Sequence, residues 1–241
     1  LIDKFGRTVD YVRISVTDRC DFRCVYCMDE KMEFLPRQRI LTLEELHRVA
    51  IAFTELGVRK IRLTGGEPLV RKDVLSLVQK LGKLPGLHEL VITTNGSQLP
   101  HMAKSLRAAG VKRLNISLDS LKSEKFKNLT RTGDLQNVLK GIDSAIDAGF
   151  DNIKLNAVIL RNRNEDEVLD LVKYSGDKGH VISFIEEMPL GVIGDHDRAE
   201  AYYSSAQIKA ELEKHYTLIP TPEKPAGPSK YFRVHETGTK V

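Results

Sequence analysis

Short runs of alternating apolar and polar residues recur along the chain, each followed by a stretch whose apolar positions return every three to four residues. A period of two marks a half-buried strand and a period near 3.6 an amphipathic helix. The pattern therefore predicts repeated β-α units and a parallel sheet. Strands are predicted at 11–17, 58–64, 89–94, 111–118, 152–159 and 181–187, and helices at 43–55, 72–82, 99–109, 135–148, 165–179 and 204–215. Thr42 with Glu45 reads as a capping box opening the first helix, and Gly57, Gly110 and Gly149 read as helix stops. Past Ile219 the composition changes to Pro220, Pro222, Pro225, Gly227 and Pro228, followed by a strand-like 230–234. Residues 1–219 are thus expected to form one core domain, and 220–241 a linker and the beginning of a C-terminal region.

Strand alternation then sorts the faces. Arg13, Ser15 and Thr17 share one side of the first strand, Lys60, Arg62 and Thr64 one side of the second, Asn115 and Ser117 of the fourth, and Lys154 and Asn156 of the fifth. The opposite sides carry Ile14, Val16, Ile61, Leu63, Leu114, Ile116, Ile153 and Leu155. Six strands separated by helices imply a barrel or an open doubly wound sheet. In a β/α barrel the helices cover the outward apolar face, so the polar set points inward. Closed barrels fill that space with branched apolar side chains. Arg13, Lys60, Arg62 and Lys154 cannot be buried there unpaired, and the acidic residues on the same faces are too few to pair them all. An open interior that receives an anionic ligand such as a polyphosphate accounts for them.

The overall balance, 37 basic against 33 acidic residues in 241, is too small to imply nucleic acid. The 41% hydrophobic content supports a substantial core. No apolar run approaches a membrane span and no secretory signal opens the chain, so a reducing, cytoplasmic compartment is expected. Asp195-His196-Asp197 lies in a Gly-rich loop and reads as a solvated segment rather than a metal site. His47 and His215 fall in helical patterns and read as packing or surface residues.

All three cysteines, Cys20, Cys24 and Cys27, stand as C-x3-C-x2-C just after the first predicted strand. An odd count without a secretory segment argues against a disulfide scaffold. Clustered soft thiolates select zinc or an iron-sulfur cluster. A closed zinc site wants a fourth ligand, and the next histidine, His47, lies on a predicted helix. A cubane cluster usually takes four cysteines as well, so three leave a coordination position open. The other distinctive motifs also fall at strand ends: Gly65-Gly66-Glu67-Pro68, Thr93-Thr94-Asn95-Gly96, Ser117-Leu118-Asp119 and Glu186-Glu187-Met188-Pro189.

The cysteine spacing, with Tyr26 before its last member and Gly-Gly-Glu-Pro after the next strand, resembles the radical S-adenosylmethionine (SAM) enzymes. The segments 13–20, 60–68, 93–96, 115–120 and 184–188 are similar to those of the GTP 3′,8-cyclases of molybdenum cofactor biosynthesis, and the resemblance covers nearly the whole chain. It implies an α/β fold, a partial, open β6/α6 barrel of the TIM type. It also implies a [4Fe-4S] cluster on Cys20, Cys24 and Cys27 whose open iron chelates SAM. By the same resemblance Tyr26, Gly66, Glu67, Ser117 and Met188 would hold SAM, and Arg13, Lys60, Arg62, Thr93 and Lys154 would hold GTP. Cleavage of SAM to a 5′-deoxyadenosyl radical would remove the ribose 3′ hydrogen, and the sugar radical would close on guanine C8 to give (8S)-3′,8-cyclo-7,8-dihydroguanosine 5′-triphosphate. The cofactor carries the chemistry, so no protein side chain is assigned as catalytic. Expected partners are an electron-donor protein, the synthase that forms cyclic pyranopterin monophosphate, and a second copy in a homodimer. Nucleic acid and membrane are not expected. Competing readings are another radical SAM activity such as peptide modification, which the basic interior disfavours, and a non-enzymatic iron-sulfur or zinc module, which leaves the convergent motifs unexplained.

Two departures from the family stand out. Its members carry a second three-cysteine cluster toward the C-terminus, whereas no cysteine follows Cys27 here. A truncated chain is expected, able to hold the first cluster but incomplete for activity, with the second [4Fe-4S] cluster present only in a full-length protein. Ser183 occupies a position where the family usually has an arginine. A hydroxyl cannot replace a charged bidentate donor, so GTP should bind more weakly or a cation should compensate from elsewhere. Ser183→Arg in a full-length protein should tighten GTP about tenfold by calorimetry; an unchanged affinity would refute that role.

Overall fold

The computed structural model describes residues 2–189, 193–222 and 229–241. Pro225, Gly227 and Pro228 lie outside them. Six parallel strands follow one another in chain order: β1 (Tyr11–Ser15), β2 (Lys60–Thr64), β3 (Glu89–Thr94), β4 (Arg113–Ser117), β5 (Ile153–Ile159) and β6 (Val181–Glu186). The sheet is open, not closed, and the fold is α/β as expected. The chain divides into two compact units, Leu1–Asp21, Met32–Ile116 and Gln136–Asn152 in the first, Phe22–Lys31, Ser117–Leu135 and Ile153–Val241 in the second.

The first unit holds β1 to β4 with α1 (Leu43–Glu55), α2 (Val74–Gly82), α3 (Leu99–Ala108) and most of α5 (Leu135–Asp147). The capping box at α1 forms as predicted: the Glu45 amide donates to Thr42 Oγ1, and the Thr42 amide to the Glu45 carboxylate. Ile14, Ile61, Leu63, Leu90, Ile92, Leu114 and Ile116 form the apolar side of the strands, all buried. Leu46, Leu77, Leu81, Leu106 and Ile142 are among the buried members of the helices. The predicted strands at 58 and 111 begin too early for one reason. The Val58 amide bonds back to the Phe53 carbonyl and the Val111 amide to that of Leu106, so each valine closes a helix with its preceding positive-φ glycine. An apolar residue after such a stop packs on the helix it ends, which a periodicity reading takes for the start of a strand.

The second unit holds β5 and β6 with α4 (Ser123–Thr130), α6 (Val168–Asp177), α7 (Arg198–Ala201) and α8 (Ser205–Glu213), and an antiparallel pair, β7 (Leu218–Pro220) and β8 (Phe232–Val234). Its core includes Phe126, Leu129, Leu155, Ala157, Ile159, Leu171 and Ile182. Helix α4 escapes prediction because eight mostly polar residues carry too few apolar positions to show a period. After β8 the chain folds back: Val241 is buried and the Ile182 amide donates to the Lys240 carbonyl.

The two faces of the first unit should respond differently to substitution. Leu114→Ala should lower the unfolding free energy by about 2–5 kcal/mol in urea titrations. Thr93→Val, which removes a buried hydroxyl that has no hydrogen-bond partner among the described residues, should leave it unchanged within about 1 kcal/mol.

Candidate active site

In the first unit, two strand-end loops run side by side. The Val16 amide donates to the Thr64 carbonyl, that of Gly66 to Thr17 and that of Glu67 to Arg19. A Cβ at Gly66 would collide with the Arg19 and Asp18 carbonyls, so the close approach requires glycine there. The Arg71 guanidinium ties the carbonyls of Val16 and Leu41 together.

Glu67 is 1% exposed and sits at the centre of this arrangement. Its carboxylate accepts from the Leu69 amide (3.0 Å), Thr94 Oγ1 (2.8 Å) and the Asn95 amide (2.6 Å). Burial pushes its carboxyl up to about 7 despite those donors, and the charge of Asp21 adds to the rise. Asp21, next to the first cysteine, accepts from Asn95 Nδ2 and Ser97 Oγ, both at 2.6 Å. The loop after β3 is thereby bound both to Glu67 and to the start of the cysteine loop.

On the polar face of these strands, Arg13 lies opposite Arg62 in register. Glu89 takes Lys60 at 2.8 Å and Arg113 at 3.3 Å, and the Tyr11 ring lies beneath Lys60 and Arg62 at 5.4 and 5.5 Å. Burial pulls the Arg62 guanidinium down from its ordinary value, and the neighbouring charges of Arg13 and Arg113 add to that. Four buried atoms on this face have no hydrogen-bond partner among the described residues: Arg62 Nε, Thr93 Oγ1, Arg113 Nε and Asn115 Oδ1. Thr93 and Asn115 are paired in register. A face holding unanswered donors and cations in this density suits an anionic, polyoxygenated ligand.

The second unit carries Cys24 and Cys27. The Cys27 and Met28 amides both donate to the Cys24 carbonyl, closing a turn. The amides of Arg23 and Val25 donate to the Thr130 and Leu129 carbonyls at the end of α4, where a helix leaves acceptors unfilled. Phe22 meets Phe126 edge-on at 6.0 Å. The Tyr26 hydroxyl donates to Asp119 Oδ2 at 2.7 Å, while Asp119 Oδ1 accepts from the Val158 amide at 2.9 Å. Burial pushes Asp119 up to about 6 against these two hydrogen bonds, and burial with the charge of Asp119 lifts the Tyr26 phenol well above its usual value. Asn164 donates to the Asp119 carbonyl at 2.6 Å, and buried Glu167 accepts from Ser120 Oγ and the Leu121 amide, both at 2.8 Å.

On β5 and β6, Asn156 lies opposite Ser183. Lys154 Nζ donates to the Tyr231 hydroxyl at 2.9 Å and lies 5.0 Å from the ring centre, with Lys240 over the same ring at 4.4 Å. Burial would raise the Tyr231 phenol, but the Lys154 hydrogen bond and the two lysine charges outweigh it and lower it. Ser117 ends β4, and Met188, beyond β6, is 55% exposed. His196 corrects the reading of its run as solvated: it is buried, 2.7 Å from Glu187, with Arg198 3.3 Å from the same carboxylate oxygen. Asp197 instead caps α7.

None of the three cysteines is in a disulfide. Among the described residues no three His, Cys, Asp or Glu side chains converge on a position for a single metal ion. Thiols outside any disulfide are the donor chemistry that an iron-sulfur cluster takes. Asp21, Asn95 and Asp119 are the supporting residues that sequence reading passed over as side chains; their adjacency to Cys20, Thr93 and Ser117 was the available signal. Glu89 and Arg113 could have been found by extending the alternation to β3 and β4. Tyr231 could not, since its partner lies 77 positions away.

The radical SAM superfamily model matches residues 14–175. A GTP 3′,8-cyclase of Pseudomonas putida (strain W619) is 58% identical over 99% of this chain and 72% of its own length. One of Marinobacter nauticus is 57% identical over 100% of this chain and 73% of its own. The chain is a radical SAM protein of the GTP 3′,8-cyclase family. Among solved structures, the fold recurs in methylornithine synthase (TM-score 0.65, 18% identity, 84% of this chain and 61% of that one). It recurs too in the hydrogenase maturase HydG (TM-score 0.65, 16% identity, 83% and 47%). In this radical SAM chain the Gly-Gly-Glu-Pro loop has a structural account of its own, as the partner of the cysteine loop and the carrier of Glu67.

The raised carboxyl of Glu67 has a sign that can be measured. Between pH 4.5 and 7 the unfolded chain releases this proton while the native state keeps it, so the native state loses stability as pH rises through that window. The wild type should lose roughly 3 kcal/mol across it relative to Glu67→Gln, read as the difference between the two unfolding curves. Parallel curves would show that Glu67 is ionised throughout.

Proposed function

We propose that this chain acts on GTP as a radical SAM 3′,8-cyclase, a lyase of the first step of molybdenum cofactor biosynthesis. The observation that carries the reading is the polar face of β1 to β4, where Arg13 stands beside Arg62 and Arg62 Nε and Thr93 Oγ1 await partners. The relatives' name, GTP 3′,8-cyclase, supports GTP as that anion. Arg13, Lys60, Arg62, Thr93 and Lys154 bind GTP in this reading, cations to the triphosphate and the threonine hydroxyl to a polar edge. Cys20, Cys24 and Cys27 hold a [4Fe-4S] cluster, and Tyr26, Gly66, Glu67, Ser117 and Met188 hold SAM. When reduced, the bound cluster and SAM supply the 5′-deoxyadenosyl radical that takes the ribose 3′ hydrogen.

The protein's own part is placement. Glu67, fixed by three donors, offers a carboxyl to an ammonium group, which would favour its ionised form. Tyr26 is held by Asp119 so that its ring cannot swing away from the cysteine turn. Lys154, oriented by Tyr231, offers its charge where the Ser183 hydroxyl cannot. An electron-donor protein and the synthase that converts the cyclised nucleotide to cyclic pyranopterin monophosphate are the partners this activity calls for, and a homodimer is the proposed assembly. No helix among the described residues is long and apolar enough to cross a membrane, and the cytoplasm is the proposed compartment.

Anaerobic reconstitution of the full-length protein should yield iron that falls by about four per chain when Cys20, Cys24 and Cys27 are replaced by alanine, and 5′-deoxyadenosine should form in the presence of GTP and not in its absence. Arg62→Ala should raise the KM for GTP about tenfold or more with iron content unchanged. Zinc in place of iron, or cofactor cleavage indifferent to GTP, would overturn the reading.

A further inference from the structure

The Thr93-Thr94-Asn95-Gly96 turn contains one side chain that GTP and SAM binding leave without a role. The Asn95 amide and both branches of its side chain are held by its own unit. Its amide donates to Glu67 Oε2 at 2.6 Å, and its Oδ1 accepts from the Ser97 amide at 2.9 Å. That second bond identifies which branch of the carboxamide is oxygen, so the other branch is the NH2 group. Of the two hydrogens there, one goes to Asp21 Oδ1 at 2.6 Å and the other faces Cys20 Sγ at 3.8 Å. Asp21 Oδ1 lies 3.9 Å from the same sulfur. A neutral donor and an acidic side chain therefore sit against one cysteine, locked to each other and to the loops that carry them.

Hydrogen bonds to the sulfurs of an iron-sulfur cluster and net charge beside it are the levers by which protein sets its reduction potential. A donor stabilises the more negative, reduced state and raises the potential; an anion destabilises that state and lowers it. We propose that Asn95 and Asp21 tune the cluster bound at Cys20 in opposite directions, Asn95 through an N–H···S contact and Asp21 through its charge. The proposal rests on Cys20 being a cluster ligand. The redox step is a one-electron reduction of the cluster by a low-potential donor, dithionite in the test below, with no bond made or broken at either residue.

The test is an EPR-monitored titration of the anaerobically reconstituted protein and its variants with dithionite, in the absence of SAM and GTP. Asn95→Leu removes the donor and should lower the reduced fraction at a fixed poise about tenfold, a shift of about 59 mV to more negative potential for a one-electron couple. Asp21→Asn removes the charge while its oxygen can still accept from Asn95 and its NH2 can donate to Ser97 Oγ in place of the present acceptor, and should shift the potential the other way by a similar amount. Asn95→Ser retains an acceptor for the Ser97 amide without reaching the sulfur, and should follow Asn95→Leu if the latter fails to take up iron. Opposite shifts support the proposal. Variants that titrate with the parent, or that shift in the same direction, overturn it, since loop support alone would not separate the two signs. A parent that binds no [4Fe-4S] cluster would instead refute ligation by Cys20.

Discussion

Arg13 and Arg62 stand side by side on paired strands, and the polar face of the first unit is organised around that repulsion. Glu89 is the acidic residue on this face, and it is engaged with Lys60 and Arg113. The Tyr11 ring softens the charge of Lys60 and Arg62 with its negative π-face, but it neutralises neither. A protein that needed only stability would place branched apolar side chains here, as on the opposite face of the same strands. The uncompensated charge and the unanswered donors of Arg62, Arg113 and Thr93 are a cost in the unliganded molecule that a polyphosphate would relieve.

The cysteines face the opposite problem: thiolates on an irregular loop must be held still without regular hydrogen bonding. Each unit holds its own cysteines. In the first, Cys20 is flanked by Asp21 and Asn95, and Asn95 is bound to Glu67, so the ends of β1, β2 and β3 are locked through side chains. In the second, the unfilled carbonyls at the end of α4 accept the amides around Cys24, and Phe22 packs on Phe126. Loops positioned by rigid elements in this way carry chemistry without losing geometry. The same locks set pKa values. Glu67 and Asp119 are raised because burial exceeds the hydrogen bonds they receive, and both sit beside residues assigned to SAM.

How much could be read beforehand depended on the range of the interaction. The exposed-against-buried alternation of β1, β2 and β5 is local, and it placed Arg13, Lys60, Arg62 and Lys154 on their faces correctly. The capping box at Thr42 and Glu45 involves residues three apart and formed as read. Helix α4 was missed because its stability comes from Phe126 and Leu129 packing in tertiary structure rather than from a periodic pattern. Val58 and Val111 carry a strand pattern because an apolar residue closing a helix looks the same in sequence as one opening a strand. The Gly-rich loop around His196 has the composition of a solvated segment, yet burial against Glu187 makes this histidine part of the interior.

The sequence by itself determined the β-α order, the cationic polar face and the three-thiol motif, because side-chain alternation and cysteine spacing are properties of neighbouring residues. Only the tertiary structure decided which groups surround those residues. Asp21 meets Asn95 across 74 positions, Tyr26 meets Asp119 across 93, and Lys154 meets Tyr231 across 77. No local pattern encodes such pairs, since they exist only once parallel strands bring their ends together. They are also what turn a list of ligands into a site: they fix where each charge stands, and so what potential and what protonation the chemistry meets.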